Sequence, residues 1–171
     1  MKILTFREFV KIMMTCVAML VIFQFVLVPT KVVMTSMYPT LDDGQYIIIN
    51  KFPCGMLDPA RGDIIVFWRD SYDNTLIKRV IGLPGECAQY RNDHCYINHK
   101  MLEEQTDKST TDYSQPFPKT MDHDGCIQLG ENQYYVLGDN RPVSLDSRAF
   151  GPIEKKSIVG KLILKTPFGD R

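Results

Sequence analysis

At 171 residues, 44% of them hydrophobic, the chain is long enough for one modest domain and a short extra segment. Its 20 basic and 20 acidic residues cancel to a formal net charge of zero, and the basic ones are scattered rather than gathered into a stripe, which argues against a nucleic-acid partner. Five cysteines without a CxxC pair make a structural zinc site equally poor as a reading.

In chain order, the first predicted element is an apolar helix. No charged side chain lies between Lys11 and Lys31, and residues 12–30 are mostly Val, Leu, Ile, Met and Phe. As a helix this run reaches roughly 28 Å, close to a hydrocarbon core of about 30 Å, so a single transmembrane anchor is expected. A cleaved secretory leader would need small residues after its apolar core, and residues 26–30 supply no such site. Lys2, Arg7 and Lys11 precede the run and only Lys31 closely follows it. That asymmetry predicts a cytoplasmic amino terminus (1–11), an anchor (12–30) and an extracytoplasmic domain (31–171). Of the cysteines, Cys16 falls in the anchor. Cys54, Cys87, Cys95 and Cys126 either pair in an oxidising compartment or remain buried thiols, and the sequence leaves both open.

Immediately after the anchor comes the run 34–41, in which Ser36 is framed by Met37, Pro39, Thr40 and Leu41. Beyond it the chain reads as short strands bounded by Gly, Pro, Asp and Asn: 45–50, 63–68, 76–82, 133–137 and 158–165. A mainly β, largely antiparallel domain is expected. Residues 87–90 and 95–97 form a predicted hairpin opening a small inserted section near 86–126, whose polar stretch 103–124 reads as a surface loop.

A serine hydroxyl attacks well only when a base takes its proton, and the usual bases are His or neutral Lys. His94, His99 and His123 all fall in the inserted section, away from strands that would hold a base rigidly. A Ser/His/Asp triad is therefore disfavoured. His123 between Asp122 and Asp124 reads as a solvated cluster, and no metal is expected. Lys78 interrupts the apolar strand 76–82, and turned inward it would lose its solvation and with it part of its affinity for a proton. Adjacent strand residues face opposite ways, so Arg79 should then be solvated. The third island holds Gly138, Asp139 and Asn140, a turn signal, followed by Ser144, Asp146 and Arg148. On an extended segment Asp146 and Arg148 would share a face and pair, bracing the loop, while Ser144 either has a structural role or makes a hydrogen bond that orients the Lys78 amine, and spacing leaves both open.

In these islands and their order, the chain resembles the type I signal peptidases, or leader peptidases, in their compact single-anchor form. The matching features are the anchor, the serine motif at 36–41, the strand 62–67, the motif built on Lys78, Arg79, Gly82, Pro84 and Gly85, and the motif from Gly138 to Gly151. The resemblance implies a membrane-bound serine endopeptidase, without cofactor, that removes signal peptides from exported preproteins on the outer face of the cell membrane. It assigns Ser36 as nucleophile, Lys78 as general base and Ser144 as the group orienting Lys78, with Asp146 and Arg148 as a supporting ion pair. It also places Val33, Met34, Leu41, Leu76 and Ile77 along the substrate, in shallow pockets for small side chains, with the substrate held as an added strand. Two positions depart from the family pattern. Met34 stands where some members carry a serine that donates to the oxyanion, and Glu86 replaces an aspartate that often follows the Pro and Gly of the lysine motif. A self-cleaving repressor would need a DNA-binding module and lacks an anchor. A pilus-processing peptidase would share the anchor, and a silent membrane-tethered peptide-binding module is the reading from a different class.

Overall fold

The computed structural model describes residues 5–51, 58–70, 74–91, 94–103 and 126–167. Helix α1 (Phe6–Val26) opens on a capping box. Glu8 accepts hydrogen bonds from the Thr5 N–H at 2.9 Å and the Thr5 hydroxyl at 2.8 Å, which ties the first turn. The helix stops four residues short of the expected anchor's end, because Leu27–Lys31 is strand β1. Pro29 has no N–H to continue a helix and Val28 and Thr30 are β-branched, whereas an edge strand accepts all three. The uncharged part of α1, residues 12–26, reaches about 22 Å, shorter than a hydrocarbon core of about 30 Å. Among the described residues no helix is long and apolar enough to cross a membrane.

Strands β2 (Tyr46–Asn50), β3 (Ile64–Arg69), β4 (Asn74–Gly82), β9 (Gln133–Leu137) and β11 (Ile158–Lys165) match the five expected strands to within two residues at each end. With β1 and β10 (Ile153–Glu154) they form a seven-stranded sheet in the order β1-β2-β11-β3-β4-β9-β10. Every described pairing is antiparallel. The inserted section supplies β5 (Cys87–Arg91), β6 (His94–Ile97), β7 (Lys100–Met101) and β8 (Ile127–Gln128), a second sheet in the order β7-β6-β5-β8. The expected hairpin is there, with Arg91 opposite His94. Most of the expected loop 103–124 lies outside the described residues, as do Cys54 and His123.

Alternation along β3 and β4 divides the core. Ile65 and Phe67 join Leu76, Val80, Tyr134 and Val136 on one face, and Ile64 and Val66 join Val32, Met37, Leu41, Ile47 and Ile49 on the other. A third cluster, including Ile81, Tyr135 and Leu137 with Ala88, Cys95 and Ile97, seats the small sheet on the large one. Cys87 and Cys126 form a disulfide that closes the inserted section at its base, with Cα atoms 5.6 Å apart. Cys95 is buried and its sulfur accepts from Arg141 Nη1 at 3.7 Å.

A cross-link over such a loop stabilises a fold by about 2–4 kcal/mol, mainly by restricting the unfolded chain. Replacing Cys87 and Cys126 together by serine should therefore lower the melting temperature by several degrees in a calorimetric scan. Any activity carried by the large sheet should survive within a few-fold.

Candidate active site

Ser36 sits in a tight turn between β1 and β2. Met37 and Leu41 anchor that turn in the core, the Tyr38 N–H bonds Thr35 O at 3.1 Å, and the Leu41 N–H bonds Met37 O at 2.9 Å. Just before it, Met34 has a φ of 84°, unusual for a residue with a side chain, and its N–H donates to Asp43 Oδ1 at 2.8 Å. The turn is also gripped from outside. Lys165 Nζ bonds Thr40 O at 2.9 Å, and Arg79 Nη2 bonds Thr40 Oγ1 at 3.3 Å.

Lys78 arrives from the middle of β4, directly opposite Ile65 of β3 and on the face shared by Leu76 and Val80. Its side chain is buried and its Nζ lies 2.7 Å from Ser36 Oγ. Burial among apolar neighbours pulls its pKa down to about 8, against the pull of the Asp146 and Asp139 carboxylates and with the help of the Arg148 cation. A lysine so placed is partly neutral near physiological pH, with its nitrogen in hydrogen-bond contact with a hydroxyl.

The third island closes over this pair. Asp146 is fully buried and caps the short helix α2 (Ser147–Phe150) by accepting from the Arg148 N–H at 3.2 Å. Arg148 grips the same carboxylate through Nε at 2.8 Å and Nη2 at 3.0 Å, and the Gly138 N–H donates to it at 3.0 Å. The expected pair is thus present, on a helix cap rather than an extended segment. Arg148 also bonds the carbonyls of Arg141 and Ser144 and lies 5.0 Å from the centre of the Tyr90 ring, so it ties the loop to the small sheet. A Cβ at Gly138 would stand 2.6 Å from Ser36 O and run into the Ser144 side chain, so only glycine allows the islands to approach this closely.

The family model for signal peptidase, peptidase S26, matches residues 6–166 of the chain. The chain belongs to the signal peptidase family, peptidase S26. It is 39% identical to signal peptidase I V of Bacillus subtilis over 79% of this chain and 83% of that one. With signal peptidase IB of Staphylococcus aureus it shares 34% identity over 94% of this chain and 89% of that one. Among solved structures, a signal peptidase I from Enterococcus faecalis superimposes with a TM-score of 0.52 at 36% identity, covering 64% of this chain and all of that one. As a signal peptidase I homologue the protein is a serine endopeptidase, a hydrolase of peptide bonds.

Within this signal peptidase fold, Ser36 and Lys78 are brought into contact, and Asp146 and Arg148 are paired behind them. Ser144 is buried beside Gly138, and among the described residues its hydroxyl has no hydrogen-bond partner, Lys78 included. The apolar candidates are divided between surfaces. Val33 and Met34 are exposed, Leu41 is buried with Ile77 packed against its cluster, and Leu76 lies on the opposite face beside Lys78. Arg79 departs from expectation. It does face away from Lys78, but instead of pointing into solvent its guanidinium is held by the buried Asp139 carboxylate, at 2.8 Å through Nε and 2.5 Å through Nη2. Asp139 and Asn140 were readable only as turn residues, yet Asn140 holds the serine turn through its N–H on Ser36 O at 3.0 Å and its Nδ2 on Thr35 O at 3.1 Å.

Proposed function

We propose that this signal peptidase removes signal peptides from exported preproteins with a Ser36/Lys78 dyad, cutting after small residues at a membrane surface. The observation that carries the reading is the 2.7 Å contact between a buried, partly neutral amine and the serine hydroxyl. Neutral Lys78 takes the Ser36 proton as Oγ attacks the scissile carbonyl, then passes it to the leaving amine. A water molecule deprotonated by Lys78 releases the acyl group from Ser36 in the second half-reaction. The Ser36 N–H faces the developing oxyanion, and Met34 contributes no side-chain donor beside it. Ser144 orients the Lys78 amine only once its hydroxyl, unbonded among the described residues, turns toward Nζ, and Asp146 with Arg148 braces the loop that carries it.

The substrate docks as an added strand along β4. Strand β9 pairs with β4 only from Arg79 onward, so among the described residues the stretch 74–78 is bonded in the sheet through β3 alone. That leaves an edge leading to Lys78, with the exposed Val33 and Met34 and the half-buried Ile77 to select small side chains, while the buried Leu41 and Leu76 back the site from its two faces.

Helix α1 holds the enzyme at the cell membrane, with the amino terminus cytoplasmic and the peptidase domain on the extracytoplasmic face. Helix α1 runs without a linker into β1, and its exposed apolar side chains, Phe9, Met13, Val17 and Leu20 among them, are suited to contact with lipid. The basic residues Lys2, Arg7 and Lys11 ahead of the uncharged stretch 12–30, against Lys31 alone close behind it, support that orientation.

The test is incubation of the full chain, in detergent or vesicles, with a purified preprotein, followed by sequencing of the new amino terminus. One cut after a small residue at the end of the signal peptide is expected. A preprotein left intact, or cut at unrelated sites, would overturn the assignment.

A further inference from the structure

We infer that Asn140 is a positioning residue for the oxyanion hole, setting the direction of the Ser36 N–H through the carbonyl of the same peptide unit. The inference rests on the proposed role of Ser36. Thr35 C=O and Ser36 N–H belong to one planar trans peptide and point in opposite directions, so fixing the oxygen fixes the hydrogen. Thr35 O is held twice, by Asn140 Nδ2 at 3.1 Å and by the Tyr38 N–H at 3.1 Å. The next carbonyl, Ser36 O, accepts the Asn140 N–H at 3.0 Å. Asn140 thus grips the carbonyls on both sides of the nucleophile's Cα.

This orientation matters more here than in a site with two donors. Met34 brings a thioether where a hydroxyl would add a second one, and its own N–H is engaged by Asp43 Oδ1 at 2.8 Å. The Ser36 N–H therefore carries a larger share of the negative charge that develops on the carbonyl oxygen, and a tilt of that donor is felt directly. Asn140 is itself firmly mounted. The preceding Asp139 is buried and bonded to Arg79, and Asn140 O accepts from the N–H groups of Val143 at 3.2 Å and Ser144 at 3.0 Å. The carboxamide is presented on a rigid turn, reaches no reacting atom, and acts only through the Thr35–Ser36 peptide.

The experiment compares Asn140→Ala and Asn140→Asp with the unaltered full chain in detergent. It measures kcat and KM on a preprotein, melting temperature, and affinity for a peptide boronic acid ending at the cleavage position. In the boronate complex Ser36 Oγ bonds to boron and its proton passes to Lys78, leaving a tetrahedral anion that the oxyanion hole must stabilise. Asn140→Ala should lower kcat about tenfold to thirtyfold, part of the 10²–10³-fold that loss of a whole donor brings. KM should stay within twofold, and boronate affinity should fall in step with kcat. Asn140→Asp should not restore either value, because a carboxylate cannot donate to Thr35 O. Unchanged kcat and boronate affinity in Asn140→Ala would overturn the inference. So would a loss of activity matched by a lower melting temperature while boronate affinity is kept. A Ser36→Ala enzyme that binds the boronate as tightly as the unaltered one would instead overturn the nucleophile assignment beneath it.

Discussion

Lys78→Met is expected to lower kcat by about four orders of magnitude while making the protein harder to unfold. Without the amine nothing among the described residues is in contact with Ser36 Oγ to take its proton, and general-base removal of this kind typically costs 10²–10⁴-fold, with the upper end expected where no neighbouring base substitutes. On the proposed dyad the active form of the unaltered enzyme carries a neutral amine. The rate should therefore rise with pH, reach half its maximum near pH 8, and level off above it. A flat profile from acid to alkaline pH, or cleavage at full rate by Lys78→Met, would sink the dyad.

The stability half of that result follows from the same pKa. Lys78 holds its proton less tightly in the folded protein, near 8, than in the unfolded chain, near 10.5. Between those values the unfolded state binds more protons, so stability rises with pH through this window and the penalty is fully present below about pH 8. A displacement of this size corresponds to roughly 3 kcal/mol at neutral pH. Methionine fills a similar volume without a charge, so Lys78→Met should recover about 2 kcal/mol and raise the melting temperature by roughly 4–8 °C. A buried amine is thus maintained against stability, which suits the role of base proposed for it.

Much of the sheet was legible because its strands are short, rich in Ile, Val, Phe and Tyr, and bounded by turn residues. Strand β1 was not, since residues 12–30 are uncharged and mostly apolar and hydropathy cannot separate helix from strand inside such a run. Pro29 was the available signal. Ser36 and Lys78 were legible by residue type, and the interruption of an apolar strand by Lys78 marked it for burial. Arg79, Asp139 and Asn140 were not, because a turn reading accounts fully for Gly138, Asp139 and Asn140. The partners that give them another role lie 60 and 105 residues away in the chain. Period alone set Arg79 opposite Lys78 correctly, but it cannot reveal a buried carboxylate waiting there. Asp146 and Arg148 were paired correctly because two residues of separation already brings them close. That the contact is also a helix cap depended on backbone angles at Asp146 that no pattern encodes.

Arg148→Ala should be the most destabilising single change near the site, and it should also move the pH profile. Asp146 is wholly buried, and with the guanidinium gone its carboxylate keeps, among the described residues, only the N–H groups at Gly138 and position 148. Breaking a buried ion pair from one side costs about 3–5 kcal/mol, a large fraction of the 5–15 kcal/mol that usually separates folded from unfolded protein. The carbonyls of Arg141 and Ser144 lose their donor as well, which loosens the loop carrying Ser144. Arg148 holds the Lys78 pKa down and Asp146 pulls it up, so removing the cation leaves the anion unopposed. The midpoint of the rate profile should therefore shift above 8, and activity at neutral pH should fall further than activity at pH 10. In Arg148→Met combined with Asp146→Asn both charges are absent, so much of the stability should return and the midpoint should move back down. Denaturant melts and pH–rate profiles of the unaltered enzyme and these two variants decide the matter. A loss below 1 kcal/mol in Arg148→Ala with an unmoved midpoint would mean that the pair neither holds the loop nor sets the charge around Lys78.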